Sequence, residues 1–210
     1  MIKDTFSPQR LHSLDEAQID GLADVLIDCV EGDASVSFMH PLTRERAVAF
    51  WRRVAEGVAA GERALLIVED ERGVCGTVQL GLEQPENQPH RADLAKMLVH
   101  RRARRRGAGA ALLQAAEATA RTCGRTLLVL DTASADAERL YERHGWIRVG
   151  VIPGYALLPR GGLCSTAVYY RELVASGDGP ATPRPLESSA AIASASPIAG
   201  RRPASLEAPE

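Results

Sequence analysis

The feature that most constrains the fold is a predicted strand that runs through a basic, glycine-containing turn into a predicted helix. The apolar run over residues 94–99 is typical of a strand, and the amphipathic segment over 110–121 is typical of a helix. The turn between them holds five arginines and two glycines, Gly107 and Gly109. A helix N-terminus exposes unpaired backbone N–H groups, and glycine lets a ligand approach that backbone without a Cβ clash. Because arginine side chains also bind phosphate oxygens, the segment predicts a cradle for a pyrophosphate group.

The same segment does not fit two other phosphate-binding motifs. No Gly-Lys-Ser/Thr sequence follows the glycines, so the turn is not a P-loop, and the glycine spacing differs from the dinucleotide-binding fingerprint. Two alternatives remain for the arginines, a solvated basic turn and a nucleic-acid-binding patch. The formal net charge of −2 provides no general attraction for a polyanion. It therefore favours a small anionic ligand, and we expect no nucleic-acid partner.

Hydrophobic periodicity along the rest of the chain predicts an α/β fold. The predicted order of elements is βααβββαβαββ, in which an antiparallel start is followed by a βαβ crossover. This order implies a mixed, mostly antiparallel sheet of about seven strands with helices on both faces. The predicted helices cover 15–30, 44–60, 107–122 and 135–144, and the predicted strands cover 9–14, 64–69, 74–82, 94–99, 126–131, 146–151 and 166–171.

The composition of the chain changes near residue 176. Alanine, serine, proline and glycine dominate from there onward, and aromatic residues are absent. Such a segment buries too little apolar surface to offset the entropy of ordering it. The sequence therefore predicts a folded domain over residues 1–175 and a disordered tail over 176–210.

Cysteine spacing and hydropathy indicate the cellular setting and argue against some classes of site. The four cysteines, Cys29, Cys75, Cys123 and Cys164, are far apart and form no Cys-x-x-Cys pair, so we expect neither a metal site nor a disulfide framework. The N-terminal residues do not resemble a signal peptide, and no apolar run approaches membrane length. We therefore expect a cytoplasmic protein with no membrane partner.

The spacing Arg104-x-x-Gly107-x-Gly109, after a strand that ends at Val99, resembles the acetyl-CoA-binding motif of the GNAT superfamily of N-acetyltransferases. The predicted order of elements is also the one expected of that family. The resemblance implies that the central strands splay apart near Val99, so that the pantetheine arm of acetyl-CoA pairs with free backbone groups like an added strand. The cofactor-binding residues that it implies are Met97, Leu98, Val99, Arg104, Arg105, Arg106, Gly107, Ala108, Gly109 and Ala110.

The segment from Leu140 to Trp146 is similar to the Leu-Tyr-x-x-x-Gly-aromatic signature of the same family. The resemblance implies that Tyr141 protonates the departing thiolate, because a phenol with a pKa near 10 can exchange a proton with a thiol. The alternative is that Tyr141 only packs in the core. Many family members carry an asparagine seven residues before this tyrosine, where it contacts the pantetheine. Here Ser134 holds that position, and its hydroxyl would contact the cofactor or cap the helix.

Acetyl transfer to an amine also needs a base that removes the ammonium proton. Asp93 and Asp131 flank the expected position of the thioester, at the start of one predicted strand and at the end of the next. Either carboxylate could accept the proton directly or through water, and His90 is a third candidate. The alternatives are that Asp93 is only a charge at a strand edge and that Asp131 accepts hydrogen bonds from turn amides.

Longer segments of the folded part resemble the branch of the superfamily that contains the tabtoxin resistance protein. These segments are 32–39, 87–99, 128–132 and 149–156, the last followed by 159–163 and Thr166. The resemblance implies that Ser35, Phe38 and Tyr155 line the acceptor cleft, with Tyr155 in a turn, and such residues suit a small polar acceptor. The sequence departs from this branch at two positions, since relatives often carry Glu where Asp93 stands and Asp where Arg160 stands.

These features lead to one main functional hypothesis and two alternatives. The main hypothesis is an enzyme that moves an acetyl group from acetyl-CoA to the amine of a small acceptor, either amino-acid-like or related to an antibiotic or toxin. Because no cysteine lies near the basic turn in the sequence, we expect direct transfer in a ternary complex. The alternatives are a protein or polyamine N-acetyltransferase and a non-catalytic acyl-CoA-binding regulator. We expect a monomer or a homodimer.

Overall fold

The computed structural model describes residues 6–173 of the chain. Within that range it contains seven strands, four α-helices and one short 3₁₀ helix. The predicted tail over 176–210 lies outside the described residues, so the division into a domain over 1–175 and a tail stays a prediction.

The elements follow the predicted order along the chain. The strands are β1 (Gln9–Leu11), β2 (Arg63–Asp70), β3 (Gly73–Gly81), β4 (Arg91–Val99), β5 (Leu127–Thr132), β6 (Ile147–Leu157) and β7 (Leu163–Glu172). The helices are α1 (Glu16–Glu31), α2 (Arg44–Ala59), α3 (Ala108–Thr122) and α4 (Ala135–Arg143), with the 3₁₀ helix at Arg101–Ala103. All four α-helices begin and end within one residue of their predicted bounds, because their apolar periodicity and end residues are local signals.

The seven strands form one sheet in the order β1-β2-β3-β4-β5-β7-β6. All neighbouring strands are antiparallel except β4 and β5, which run parallel. The parallel pair arises because α3 carries the chain across from β4 to β5, and parallel neighbours need such a crossover. The predicted α/β fold with a mixed, mostly antiparallel sheet is therefore confirmed.

Helices cover both faces of the sheet and divide the buried side chains between two cores. The core under α1 and α2 contains Leu26 and Trp51, and the core under α3 contains Leu112 and Leu113, all four fully buried. Alternate residues of β2 contribute to opposite cores, as the period of a strand requires. Each buried leucine side chain contributes roughly 1.5–3 kcal/mol to stability. The sheet is thus held between two helix layers.

Three of the four α-helices begin with a side-chain cap, and α3 does not. Asp15, Thr43 and Ser134 each accept a hydrogen bond from a backbone N–H in the first turn of α1, α2 and α4. Gly107 precedes α3 with φ +100°, a left-handed conformation that suits glycine, and no side chain caps this helix. The first N–H groups of α3 are therefore left for another acceptor.

β6 departs most from its predicted bounds. The strand expected over 146–151 is observed as Ile147–Leu157, and it pairs only with β7 at the edge of the sheet. The pairing is irregular between Ile152 and Ala156, where the sequence contains a proline and a glycine. Tyr155 lies in this irregular stretch of strand, so the turn predicted around it was wrong. An edge strand tolerates proline because one side of its backbone is unpaired.

Candidate active site

The strands β4 and β5 separate early, which leaves one edge of β4 open. They pair only between Arg91–Asp93 and Leu127–Val129. Beyond that point β4 continues to Val99 beside β3, while β5 continues beside β7. The separation predicted near Val99 therefore already begins after Asp93. Met97, Leu98 and Val99 lie along the open edge, and their backbone groups on that side have no strand partner in the described sheet.

A β-bulge lies on the same part of β4. Thr77 pairs with Leu98 whereas Gln79 pairs with Ala95, so β4 carries one residue more than β3 across this interval. Lys96 lies in the bulge and has φ +50°, in the left-handed region. Because a bulge bends its strand, it contributes to the separation of β4 from β5.

The basic turn is braced by acidic residues of neighbouring elements. Asp28 of α1 is only 6% exposed and accepts hydrogen bonds from the backbone N and the Nε of Arg101, at 2.8 and 2.6 Å. Arg102 pairs with Asp70 at 3.0 Å and donates to the carbonyl oxygen of Val74 at 2.8 Å. These two arginines therefore hold the turn in place, and most of their charge is already offset.

The three arginines predicted to contact the cofactor have different partners. Arg104 donates through Nε to the carbonyl oxygen of Val99 at 2.9 Å, which ties the turn to the end of β4. Arg106 donates to the carbonyl oxygen of Arg102 at 3.2 Å. Arg105 is exposed, has φ +60°, and makes no hydrogen bond or ion pair with any described residue. Arg105 is consequently the least restrained of the three, and phosphate contact stays a prediction for each.

The N-terminus of α3 points its unpaired amides at the basic turn. The N–H groups of Ala108, Gly109 and Ala110 are the first of the helix, and none of them donates to an acceptor within residues 6–173. The helix dipole adds positive potential at the same place. This end of α3 therefore fits the oxygens of a phosphate-bearing ligand.

Gly107 and Gly109 serve different purposes in this cradle. A Cβ on Gly107 would meet nothing within 4 Å, so the surface there is open to a ligand. A Cβ on Gly109 would lie 3.3 Å from Cδ2 of Leu140 and 4.0 Å from Cγ2 of Val99. The missing side chain at Gly109 thus lets the end of β4, the start of α3 and the last turns of α4 meet.

Tyr141 of α4 is 3% exposed and packs in the core. Its ring lies 5.6 Å from that of Trp146 and 6.0 Å from that of Tyr169, centre to centre. Burial raises the pKa of Tyr141, and the carboxylate of Asp131 raises it further. The Tyr141 hydroxyl has no hydrogen-bond partner within residues 6–173, whereas that of Tyr169 lies within 3.0 Å of two carboxylates. The hydroxyl proton of Tyr141 is therefore not accepted by any described residue, the ring packs in the core, and the role of general acid stays a prediction.

Ser134 is the N-cap of α4. Its Oγ accepts a hydrogen bond from the backbone N of Ala137 at 3.4 Å, which is the capping role that the sequence left open. The side chain is exposed, and the cap uses the hydroxyl only as an acceptor. Contact between its proton and the pantetheine stays a prediction.

The candidate bases lie in different surroundings. Asp131, at the end of β5, is exposed and accepts a hydrogen bond from Oγ1 of Thr166 at 3.0 Å. Asp93 is the last residue of β4 that pairs with β5, and it forms an ion pair with Arg91 at 3.4 Å. His90 immediately precedes β4, at the end where β4 and β5 are still paired. Asp131 thus differs from Asp93 in that it carries no ion pair within residues 6–173, and the choice of base stays a prediction.

The loop that carries Ser35 is fastened to the hairpin of β6 and β7. The Oγ of Ser35 donates to the carbonyl oxygen of Leu157 at 3.5 Å. The backbone N of His40 donates to the carbonyl oxygen of Pro159 at 2.9 Å. These contacts bring together two regions that are more than a hundred residues apart.

Phe38 and Tyr155 differ in how well they fit the predicted acceptor cleft. Phe38 is half-buried and packs edge to face on Phe50 of α2, with ring centres 5.2 Å apart. Tyr155 is 54% exposed and makes no hydrogen bond or ring contact with a described residue. The structure thus brings Ser35 and Phe38 to the same loop, while Tyr155 stands on the neighbouring edge strand.

Two charged residues of the site were not among the predicted ones. Lys96 donates through Nζ to Oγ of Ser37 at 3.1 Å, which joins β4 to the loop between α1 and α2. Asp28 anchors the basic turn from α1, as described above. The available signals were a lysine inside an apolar strand and a carboxylate on the apolar face of a predicted helix. Both signals are weak, because either residue can also be a solvated charge.

Cys29 lies closer to the turn than its place in the sequence suggests. Its Sγ is 3.8 Å from the carbonyl oxygen of Val99 and 3.7 Å from the Arg104 guanidinium. Burial is the largest influence on the Cys29 thiol and raises its pKa. The residue is therefore a buried thiol beneath the turn and is poorly suited to act as a nucleophile.

Three further findings concern the described residues as a set. All four cysteines are free. Within residues 6–173, no group of three or more His, Cys, Asp or Glu side chains is arranged to hold a metal ion. No helix of that part of the chain is long and apolar enough to cross a membrane.

Comparison with known proteins identifies the fold. Residues 61–148 match the family model described as Acetyltransferase (GNAT) domain. A phosphinothricin acetyltransferase from Sinorhizobium meliloti in complex with acetyl-CoA is 16% identical, with a TM-score of 0.69 over 88% of this chain and 97% of that chain. An acetyltransferase from Salmonella typhimurium with its cofactor acetyl-CoA is 17% identical, with a TM-score of 0.67 over 87% and 99%. A ribosomal-protein-alanine N-acetyltransferase from Brucella melitensis is 19% identical, with a TM-score of 0.67 over 80% and 99%.

The match over 61–148 runs from β2 to the start of β6. It includes the open edge of β4, the basic turn, the N-terminus of α3 and Tyr141. At identities below 20%, the solved structures bear on the fold alone, and that fold agrees with the family match. Residues 61–148 therefore match an acetyltransferase domain of the GNAT superfamily, whose members take their acetyl group from acetyl-CoA.

Proposed function

We propose that this chain N-acetylates a small, amino-acid-like acceptor by direct transfer from acetyl-CoA in a ternary complex. The main support is the meeting of Val99, Gly109 and Leu140, which brings the open edge of β4, the uncapped end of α3 and the helix of Tyr141 together. A single elongated ligand can then contact all three elements. Its anionic end would lie at α3, its arm along β4, and its reacting end near Tyr141.

Each part of the cofactor has a matching set of groups. The pyrophosphate would accept hydrogen bonds from the first three N–H groups of α3, in the positive potential of Arg104, Arg105 and Arg106. The pantetheine amides would pair with the backbone of residues 97–99. The hydroxyl of Ser134 is available to the same arm. Acetyl-CoA would supply the thioester, whose carbonyl carbon is the electrophile.

The proposed reaction uses two side chains of the chain as proton carriers. Asp131 accepts the proton that leaves the acceptor ammonium and passes it to solvent, which frees the nitrogen lone pair. The nitrogen forms a bond to the thioester carbon, and the C–S bond then breaks with its electron pair on sulfur. Tyr141 gives its proton to that thiolate and regains one from the nitrogen, which has a proton to lose as it becomes an amide. Asp93 is the second candidate for the base.

Direct transfer is preferred over a covalent enzyme intermediate because the cysteine near the turn is unsuited to attack. Cys29 is buried, and its raised pKa favours the protonated thiol. A thiolate, not a thiol, is the effective nucleophile. The acetyl group therefore has no suitable carrier on the cradle side, and the acceptor amine itself must reach the thioester.

Two features near Asp131 and the α1–α2 loop support a small acceptor. The loop between α1 and α2 is hydrogen-bonded to the β6–β7 hairpin at Ser35 and His40, which restrains it on that side. A groove of about 320 Å³ lies beside Asp131 and is lined in part by Cys164 and Thr166. This volume is at the lower end of small-molecule sites. Transfer to a protein is the second candidate, since the Brucella relative is named for a ribosomal-protein alanine.

The cofactor site is tested by calorimetric titration of acetyl-CoA at physiological salt, without an acceptor. We expect micromolar binding that is lost in Gly107→Trp, because the indole would occupy the open space at the start of α3. Gly124→Trp is the matched control, since Gly124 also has a positive φ, of +71°, and open space, but follows the other end of α3. The control should bind like the wild type. Absence of wild-type binding at high micromolar acetyl-CoA would contradict the proposal.

The acceptor class is tested by release of the CoA thiol. We expect turnover with free small amines and little with unstructured peptides that carry the same amino group at their N-terminus. Turnover confined to peptides would favour the protein acetyltransferase. Tight acetyl-CoA binding with no turnover on either class would favour the acyl-CoA-binding regulator.

A further inference from the structure

His100 stands between the end of β4 and the 3₁₀ helix of the basic turn, and its ring caps that helix. The Nδ1 atom accepts a hydrogen bond from the backbone N of Arg102 at 3.2 Å. The backbone N–H of His100 donates to the carbonyl oxygen of Cys75 on β3, and its carbonyl oxygen accepts from the N–H of Ala103, both at 2.9 Å. His100 therefore fastens the first residues of the turn to the sheet, and one of these contacts uses the side chain.

The cap fixes the protonation state of the ring. A backbone N–H can only donate, so Nδ1 of His100 must present a lone pair and the single ring proton lies on Nε2. His144, at the end of α4, has the opposite arrangement, because its Nδ1 lies 2.9 Å from the carbonyl oxygen of Leu140, which can only accept. A protonated imidazole carries hydrogen on both nitrogens and cannot accept. Protonation of His100 and the cap therefore exclude each other.

Asp28 of α1 faces the other ring nitrogen of His100 but does not bind it closely. Its Oδ1 lies 3.6 Å from Nε2, beyond the usual hydrogen-bond distance. The same carboxylate already accepts hydrogen bonds from the backbone N and the Nε of Arg101, at 2.8 and 2.6 Å. No other carboxylate within residues 6–173 forms an ion pair with the ring. Asp28 is thus a shared counter-charge rather than a dedicated partner for a protonated His100.

Three arginines of the basic turn also act on the ring, which is only 23% exposed. They are Arg101, Arg102 and Arg104, and the charge of Arg102 is offset by an ion pair with Asp70 of β2 at 3.0 Å. Burial lowers the pKa of His100 below its usual value of 6.5, the carboxylate of α1 partly opposes this, and the arginines lower the pKa further. The surroundings therefore favour the neutral ring, which is the form that caps.

The residues that His100 holds lead directly to the N-terminus of α3. After the 3₁₀ helix, Arg104 donates through Nε to the carbonyl oxygen of Val99 at 2.9 Å, and Gly107 then begins the cradle. Loss of the ring cap would release the first turn of this segment, since the N–H of Arg102 would lose its acceptor. The amides of α3 would then be aimed less well at a ligand.

We propose that His100 is a positioning residue whose neutral ring holds the basic turn, so that acetyl-CoA binding weakens when the ring takes up a proton. This inference rests on the proposed function and adds control of the same site by pH. The contribution of the cap is complete above pH 6.5 and is lost as the pH falls through the lowered pKa of His100. By linkage, acetyl-CoA must favour the neutral ring, and its binding must release the proton of any protonated His100.

The test is calorimetric titration of acetyl-CoA at about pH 7.5 and about pH 5, on either side of the ordinary histidine pKa. His100→Asn keeps an N-cap acceptor that does not titrate, whereas His100→Ala has none. At the higher pH we expect His100→Asn to bind like the wild type and His100→Ala to bind about three- to tenfold more weakly, as for loss of one hydrogen bond. At the lower pH the Kd of the wild type should rise about three- to tenfold more than that of His100→Asn.

Two comparisons separate this effect from other titrating groups. The phosphates of the ligand titrate alike with every variant, so the difference between the wild type and His100→Asn belongs to the ring. His144→Asn is the matched control, because His144 is also half-buried, and it should keep the pH dependence of the wild type. Titration near pH 6 in two buffers of different ionisation enthalpy should show more protons released by the wild type than by His100→Asn. Circular dichroism at both pH values checks that each variant is folded.

Three outcomes would overturn the inference. The first is an equal rise of Kd at low pH in the wild type and in His100→Asn. The second is wild-type affinity of His100→Ala at the higher pH, which would mean that the cap does not serve the cradle. The third is a folded His100→Asn protein that binds as weakly as His100→Ala, which would give the ring a role other than that of an acceptor. Failure of the wild type to bind acetyl-CoA at either pH would instead contradict the proposed function as a whole.

Discussion

Two neighbouring tyrosines illustrate how much a residue's role depends on its immediate partners. Burial raises the pKa of both Tyr141 and Tyr169. The Tyr169 hydroxyl lies 2.9 Å from a carboxylate oxygen of Glu138 and 3.0 Å from one of Glu142, so its proton is already engaged in fastening β7 to α4. The Tyr141 hydroxyl has no such partner within residues 6–173. Only Tyr141 therefore has a proton to offer to a ligand.

Replacement of Tyr141 by phenylalanine tests this assignment. We expect kcat to fall by roughly 10²-fold or more, the range for loss of a general acid, while the Kd of acetyl-CoA stays unchanged. The ring contacts with Trp146 and Tyr169 remain, so the fold should be preserved. Steady-state kinetics and calorimetry give the two readouts, and Tyr170→Phe on β7 is the control. An unchanged kcat would mean that Tyr141 only packs.

The two carboxylates can be separated by replacing each with its amide. Asp131→Asn should lower kcat/KM roughly 10²-fold or more and flatten the acid side of the pH–rate profile, because the proton acceptor is lost. Asp93→Asn should change the rate little and lower the free energy of unfolding instead, since the ion pair with Arg91 is lost. Initial rates over a range of pH and urea denaturation measure the two effects. The reverse pattern would assign the base to Asp93.

At the scale of elements, the cradle depends on α1, although α1 would not touch the cofactor. Asp28 on the last turns of α1 fixes the 3₁₀ helix Arg101–Ala103 through two hydrogen bonds to Arg101. Arg104 then ties the turn to the end of β4. The α3 amides are thus aimed by contacts that arrive from the opposite face of the sheet.

Asp28→Asn is expected to weaken the cofactor site from a distance. Loss of the charge should loosen the basic turn and raise the Kd of acetyl-CoA roughly tenfold, with a smaller effect on kcat at saturation. Asp24→Asn is the matched control, because Asp24 lies one turn earlier on α1 and pairs with the exposed Arg44. Calorimetric titration of both variants decides the question. Equal Kd values for the two variants would show that the hydrogen bonds between Asp28 and Arg101 do not contribute to acetyl-CoA binding.

At the scale of the whole molecule, the buried tyrosines link stability to pH. A tyrosine in the unfolded chain ionises near pH 10, whereas burial keeps Tyr141 protonated to higher pH. Its contribution to stability is complete below pH 10 and is lost as the pH rises toward its raised pKa, because only the unfolded state releases the proton. We expect the free energy of unfolding, measured with urea, to fall between about pH 9.5 and 11. The fall should be smaller in Tyr141→Phe and unchanged in Tyr155→Phe, since Tyr155 is exposed. A fall of equal size in all three proteins would exclude Tyr141 as its source.

The helices, the order of elements and the basic turn before α3 could all be predicted, because each depends on residues close together in the chain. The apolar stripes, the Thr43 cap and the glycine at position 107 are read within one or two helical turns. The end of β6 could not be predicted in the same way. Its continuation through a proline depends on its place at the edge of the sheet, which the local sequence does not reveal.

The sequence by itself determined the α/β order and the succession of strand, basic turn and helix from β4 to α3, and the resemblance of residues 140–146 to a family signature made Tyr141 the candidate acid. Only the tertiary structure decided where β4 leaves β5, which carboxylate is already paired, and that Lys96 meets Ser37, 59 residues away in the chain. The physical reason is the sequence separation over which each interaction acts. Hydrophobic period, caps and glycine turns act over a few residues, whereas burial, ion pairing and strand register depend on partners far away in the chain, such as Asp28 and Arg101 at a separation of 73 residues.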